Sequence, residues 1–305
     1  MILVTGATGF IGAEILRRGS ARGWRMRGLA RRPDRAEALG RLPHVEFFRG
    51  DIGETGDLDE ALEGVTALVH LVGIIVETRG QSFRETHVTG TENVLRAARN
   101  AGVRRYVHMS ALDVEAGRNS SEYYRTKWAA EEAVRASGLA ATIFRPSLVF
   151  GPDDEFFNRL AQGIRWSPVM PLPGGGRTRF QPVWVGDVAE CFLQAARMEA
   201  TPEPVYDLAG PVVLTLREIV SVLARILGKR RATVPIPVAP LRLAAGLAER
   251  ILPRPPLTRD QLKMLALDNV SDRESIRALK RDFEIEHARL ADKAPAWLRT
   301  GGTTS

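Results

Sequence analysis

Residues 1–12 read Met1-Ile2-Leu3-Val4-Thr5-Gly6-Ala7-Thr8-Gly9-Phe10-Ile11-Gly12, and the order of residue types in this stretch decides the architecture. Ile2, Leu3 and Val4 are apolar and favour a strand, whereas Phe10 to Leu16 carry a helical apolar repeat. The chain must therefore turn sharply over Thr5-Gly6-Ala7-Thr8-Gly9. At such a turn the N–H groups of the helix start lack partners and the helix dipole is positive, which suits a phosphate. Gly6, Gly9 and Gly12 stand where a side chain would hold a ligand away. Strand, glycine turn and helix at the head of a β-α-β unit predict a dinucleotide site, with Thr8, Phe10 and Ile11 along the same turn.

Further along the chain, apolar runs at 25–30, 45–49, 67–72, 105–110 and 141–144 alternate with helical patterns near 57–63, 83–101 and 121–137. This alternation predicts an α/β fold, a doubly wound parallel sheet that binds ligands at the carboxyl ends of its strands. The apolar run 67–76 is far short of the roughly 20 residues of a membrane span and reads as a buried strand. After Pro146 proline and glycine become denser. The expected division is a dinucleotide-binding part, 1–150, with 182–210 returning to it, and a smaller C-terminal substrate-facing annex, 151–181 and 211–305. Within the annex, residues 240–256 predict an amphipathic helix with Leu241, Ala244, Ala245, Ala248, Ile251 and Leu252 on one stripe. Such a helix either covers the substrate cleft or docks on a membrane surface or protein complex. Phe156, Arg177, Arg179 and Trp184 are the expected substrate contacts, and their mixed character fits a lipid, a quinone-like molecule or an acidic metabolite.

The 305 residues carry a net charge of +7, but the basic residues are scattered without aromatic interleaving, so nucleic acid is not an expected partner. The lone Cys191 excludes internal disulfides, and no histidine lies at metal-ligand spacing, so no metal is expected. With no secretory signal before the first strand, a cytoplasmic protein is expected, peripherally membrane-associated if the amphipathic helix docks. Disorder is expected only at the tail, 301–305.

The second strand ends in Leu29-Ala30-Arg31-Arg32-Pro33, where an NAD site would carry a carboxylate for the ribose. Asp34 is displaced from that place. Arg31 and Arg32 instead offer planar cations for a 2′-phosphate, which favours NADP(H) over NAD(H). Asp51, in Arg49-Gly50-Asp51-Ile52, suits the adenine amino group. Tyr123 and Lys127 lie four apart on one helix face, so the ammonium is expected to lower the phenol pKa and make Tyr123 an acid and base.

With TGATGFIG (residues 5–12), VTGTENVLRAARNAGVRRYVHMSAL (88–112), YYRTKWAAEEAV (123–134), IFRPSLVFGP (143–152) and QPVWVGDVAE (181–190) in this order, the chain resembles extended and atypical short-chain dehydrogenases/reductases. Within that superfamily it is most similar to bacterial relatives of the nucleotide-binding accessory subunit of respiratory complex I. The resemblance implies a Rossmann-type fold in which Gly6, Gly9 and Gly12 hold the pyrophosphate and Asp51 and Ile52 meet the adenine. It places Leu71, Val72 and Gly73 along the cofactor, and Arg145, Pro146 and Ser147 near the nicotinamide. Tyr123 is implied as the acid/base, with Lys127 as its partner and ribose ligand. Ala111 stands where the family has serine or threonine, so Ser110 serves that role only through a backbone shift. His87 replaces a common asparagine. The implied function is an NADP(H)-dependent oxidoreductase. The alternatives are a non-catalytic NADPH-holding subunit or sensor, or a sugar-nucleotide epimerase or dehydratase.

Overall fold

A computed structural model of the chain describes residues 1–252, 255 and 257–299; the expectation for 301–305 lies outside the described residues. Six strands, Ile2–Thr5 (β1), Met26–Ala30 (β2), Val45–Arg49 (β3), Ala67–His70 (β4), Arg105–Met109 (β5) and Ala141–Pro146 (β6), are joined by a seventh, Val205–Leu208. They form one sheet in the order β3-β2-β1-β4-β5-β6, with Val205–Leu208 beyond β6. Every pairing is parallel. The winding direction reverses between β1 and β4, which opens a crevice at their carboxyl ends.

Successive strand residues point to opposite faces, and both faces are covered. Val4, Val69, Val107 and Phe144 pack with Ile15, Leu16 and Phe192 on one side. Leu3, Leu68, Tyr106 and Ile143 pack with Leu58, Val94 and Val134 on the other. This double burial explains why the strands read as apolar runs rather than as alternations.

The run 67–76 does not continue as a strand. Its pairing with β1 ends at Thr5 and His70, because the chain after Thr5 turns at Gly6 with φ +70° and offers no further ladder. Ile75 is exposed in consequence, and residues 71–74 are freed to line the crevice.

The annex has its own core, including Phe150, Phe157, Ile164, Leu172, Phe180, Leu223 and Trp297. Two expected substrate contacts belong to this packing. Trp184 stacks on Trp297 with ring centroids 5.6 Å apart, and Phe156 meets Phe157 edge-on. Arg179 is paired with Asp268 at 2.7 Å, while Arg177 is exposed. Helix Arg273–Phe283 returns to the main sheet, where Phe283 packs against Phe144 and Tyr206.

Helix Val238–Ile251 forms as expected, but it does not present the expected stripe to a cleft: it buries only Ala245. Gly246 lies against helix Arg259–Met264, where a Cβ would come 3.3 Å from the Arg259 side chain, while Ala244 of the expected stripe is exposed. The bulky Leu243, Leu247 and Ile251 are left pointing outward. Among the described residues no helix is long and apolar enough to cross a membrane.

Candidate active site

A cavity of about 640 Å³ occupies the crevice and is lined by the glycine turn, the ends of β2 to β4 and the loop 71–74. Gly6, Thr8 and Gly9 form its floor. Gly6 is irreplaceable on two grounds: its φ is positive, and a Cβ there would meet the backbone of Leu71 and Val72 at 3.3 Å. Helix Phe10–Ala21 begins at Gly9 with no side-chain cap, which leaves its first N–H groups available to an anion. Phe10, Ile11 and Gly12 are outside the lining, so only their backbone N–H groups face an anion while Phe10 and Ile11 use their side chains for packing. A Cβ on Gly12 would fall 2.3 Å from the Gly6 carbonyl oxygen, so this glycine lets the helix sit on the turn.

Arg31 and Asp51 lie on the far wall, with Arg31 Nε 3.9 Å from Asp51 Oδ2. Arg32 is exposed and outside the lining. Asp51 is held in place twice: its Oδ1 accepts from the Gly53 N–H at 2.9 Å, and its own N–H donates to Asp57 at 3.2 Å. Ile52 packs beneath Gly90, where a Cβ would come within 2.4 Å of Ile52 Cδ1. Sequence reasoning missed the opposite wall, which includes Gln81, Glu85, Thr86 and Thr89. The signal was present in Thr86 and Thr89, two hydroxyls three apart on one face of a helix start.

Helix Glu122–Ala136 carries Tyr123 and Lys127 one turn apart. Ser121 caps it by accepting from the Tyr124 N–H at 3.2 Å. The annex adds a second cap, because the Asp260 carboxylate accepts from the N–H groups of Glu122 at 3.1 Å and Tyr123 at 3.2 Å. Lys127 is buried and its ammonium donates to the Met109 carbonyl at 2.9 Å. A Cβ on Gly73 would lie 3.1 Å from Lys127 Nζ, so the ammonium stands directly behind the cavity wall. Burial lowers its pKa to about 8, with Glu131 opposing.

Tyr123 is half-buried, its ring edge-on to Phe83 and His87. The expected lowering of its pKa does not occur. Desolvation holds the hydroxyl above its ordinary value, with Tyr124 adding to the shift, while the Lys127 ammonium is committed to Met109. Ser110 is turned inward beside the Glu131 carboxylate, without a hydrogen bond of good geometry. Glu131 in turn accepts from Arg145 at 2.5 Å and Arg135 at 2.7 Å. Pro146 and Ser147 lie outside the cavity lining, and Ser147 Oγ donates to Asn269 Oδ1 of the annex at 2.6 Å. These two residues form the seam between sheet and annex.

His87 is buried behind the same wall, with Nδ1 2.9 Å from Thr126 Oγ1 and Nε2 3.0 Å from the Ile74 N–H. The Thr126 hydroxyl also lies 2.9 Å from the Glu122 carbonyl, to which it donates, and Nε2 sits between the Ile74 N–H at 3.0 Å and the Ile74 carbonyl at 3.1 Å, so the tautomer sets which of these groups the ring bonds. Desolvation first, then the Lys127 charge, lowers the His87 pKa to about 2 and keeps the ring neutral. In the next layer His70 bonds to Thr5 at 2.7 Å and Thr91 at 3.1 Å, stacks on His108 and is lowered by burial to about 3.

Comparison with known proteins agrees with this geometry. The chain is 30% identical over 284 residues to the NADH dehydrogenase (ubiquinone) 1 alpha subcomplex subunit 9 of Arabidopsis thaliana, covering 88% of this chain and 70% of that protein. It is 35% identical over 172 residues to the ceramide reductase of Caulobacter vibrioides, covering 56% of this chain and 53% of that one. The NADPH-dependent quinone oxidoreductase of Escherichia coli, solved with NADPH, shares the fold with a TM-score of 0.75 at 21% identity, covering 97% of this chain and 99% of the other. The family model for NAD dependent epimerases and dehydratases matches residues 2–209. That span holds the glycine turn, the crevice and the Tyr123 helix, and with it the chain belongs to the NAD dependent epimerase/dehydratase family, as an atypical short-chain dehydrogenase/reductase that binds NAD(P).

Proposed function

We propose that this chain is an NADP(H)-dependent oxidoreductase acting at a carbonyl or hydroxyl carbon of a lipid-like or quinone-like small molecule in the cytoplasm. The observation that carries the reading is the pair Tyr123 and Lys127 on one helix face, with the ammonium pressed behind Gly73 of the cavity wall. A bound nicotinamide dinucleotide supplies or takes the hydride; the side chains do the rest. Gly6, Thr8 and Gly9 with the open helix start hold the pyrophosphate, Asp51 and Ile52 the adenine, and Arg31 the 2′-phosphate. Leu71, Val72 and Gly73 form the wall along the dinucleotide. Tyr123 gives its hydroxyl proton to the substrate oxygen in the reducing direction and takes it back in the oxidising one. Lys127 binds the ribose and, with a pKa near neutrality, replenishes the Tyr123 proton. Ser110 reaches the substrate oxygen only by turning away from Glu131. The name of the relative that reduces ceramide supports an amphiphilic substrate.

The test is NADPH oxidation by the purified protein offered long-chain ketones and quinones. Tyr123→Phe is expected to lower kcat by about 10²–10⁴-fold with NADPH affinity unchanged; equal turnover by the two proteins would overturn the reading. A second reading, a non-catalytic NADPH-holding subunit, is supported by the likeness to the complex I subunit. It predicts tight NADPH binding, no turnover with either carbonyl class, and comigration with a larger respiratory assembly on native gels.

A further inference from the structure

The annex carries an apolar surface that nothing in the catalytic reading uses. On helix Val238–Ile251 the side chains of Leu243, Leu247 and Ile251 repeat every fourth residue and are 79%, 61% and 68% exposed. The helix follows directly on a two-stranded parallel ribbon, Val169–Pro173 with Ala232–Ile236. Met170 and Leu172 of this ribbon point inward, while Val169, Pro171, Ala232 and Val234 make an exposed apolar row. At the entry to the ribbon Trp166 is 84% exposed and borders a cavity of about 390 Å³ that Arg165 and Lys229 also line.

Such a concentration of large apolar side chains in water is unusual for a surface that meets only solvent. Its charge indicates what covers it. Residues 225–252 contain Arg225, Lys229, Arg230, Arg231, Arg242 and Arg250 against the single acid Glu249, which leaves five of the seven net positive charges in this stretch. Glu249 is already paired with Arg259 at 2.7 Å. Apolar residues projecting from a helix flanked by arginines, with an exposed tryptophan at the other end of the ribbon, match the boundary between lipid headgroups and acyl chains. An anionic surface supplies the counter-charge.

We propose that the ribbon and helix Val238–Ile251 dock the protein on the surface of an anionic lipid bilayer, with Leu243, Leu247 and Ile251 inserted and Arg242 and Arg250 at the headgroups. The proposal stands independently of the reaction at Tyr123. Flotation with vesicles of phosphatidylcholine, alone or mixed with phosphatidylglycerol, tests it. The wild-type chain is expected to float with the mixed vesicles, less so at high salt, and to stay below with neutral ones. Replacing both arginines (Arg242→Glu with Arg250→Glu) should weaken the partition by at least about fivefold per charge. The triple variant Leu243→Ser, Leu247→Ser, Ile251→Ser should lose about tenfold per side chain. None of these positions lines the dinucleotide cavity, so unchanged NADPH binding certifies that the variants are folded. The proposal is overturned if the wild type does not float with anionic vesicles, or if the triple variant floats equally well. It is also overturned if the wild type instead forms concentration-dependent oligomers that the triple variant loses, since the patch would then serve a second copy of this chain.

Discussion

At the scale of single residues, the proposed preference for NADP(H) rests on Arg31. It is a cation lining the cavity at the place where an acid would select NAD, and its guanidinium stands 3.9 Å from the Asp51 carboxylate. Arg31→Ala is expected to weaken NADPH binding about tenfold while leaving NADH nearly unchanged, because a charge-assisted pair with the 2′-phosphate is lost. Fluorescence titration of both dinucleotides checks this, and an equal loss for both would assign Arg31 a general electrostatic role instead. Position 31 was legible because strand end, spacing and charge are all local. The environment of Tyr123 was not, since its raised pKa comes from burial and from Tyr124, and desolvation depends on what packs around a group rather than on its neighbours four residues away.

At the scale of elements, the helix that bears Tyr123 and Lys127 is tied down from both ends of the chain. Asp260 reaches it from the annex and accepts from two N–H groups of its first turn, where a carboxylate also meets the positive end of the helix dipole. Asp260→Ala is therefore expected to cost about 1–2 kcal/mol in urea unfolding, and Asp260→Asn, which keeps an acceptor without the charge, about half as much. No sequence pattern links residue 260 to residue 122. The helix itself was legible through its periodicity, whereas the orientation of helix Val238–Ile251 was misread. Both faces of that helix carry apolar residues, and only the close approach of helix Arg259–Met264 decides that Ala245 and Gly246 turn inward.

At the scale of the whole molecule, the layer of His70, His87 and His108 behind the cavity makes stability sensitive to acid. All three rings are held neutral by burial, with pKa values lowered to about 3 for His70, to about 2 for His87 and well below the ordinary value for His108. Below about pH 6.5 the unfolded chain protonates these rings while the folded one does not. Each ring then removes about 1.4 kcal/mol of stability per pH unit until its folded pKa is reached, and its contribution is complete only above about pH 6.5. Asp113 and Asp154, both raised to about 6 by burial, act in the opposite sense, so the clean measurement is a difference between two proteins. His108→Phe should gain on the wild type as pH falls below about 6, at up to about 1.4 kcal/mol per unit, read from urea midpoints; parallel profiles would show that His108 does not remain neutral in the folded state. By itself the sequence determined the parallel sheet, the glycine turn, the spacing of Tyr123 and Lys127, and Arg31 at the end of β2. These rest on periodicity and short-range geometry that any folded copy of the segment must obey. Tertiary structure alone decided that Ser110 turns toward Glu131, that Asp260 caps the helix of Tyr123, that β4 stops at His70 to free a cavity wall, and that the leucines of helix Val238–Ile251 face outward. Each of these is a contact or a desolvation between segments far apart in the chain, and its energy exists only once the chain has closed on itself.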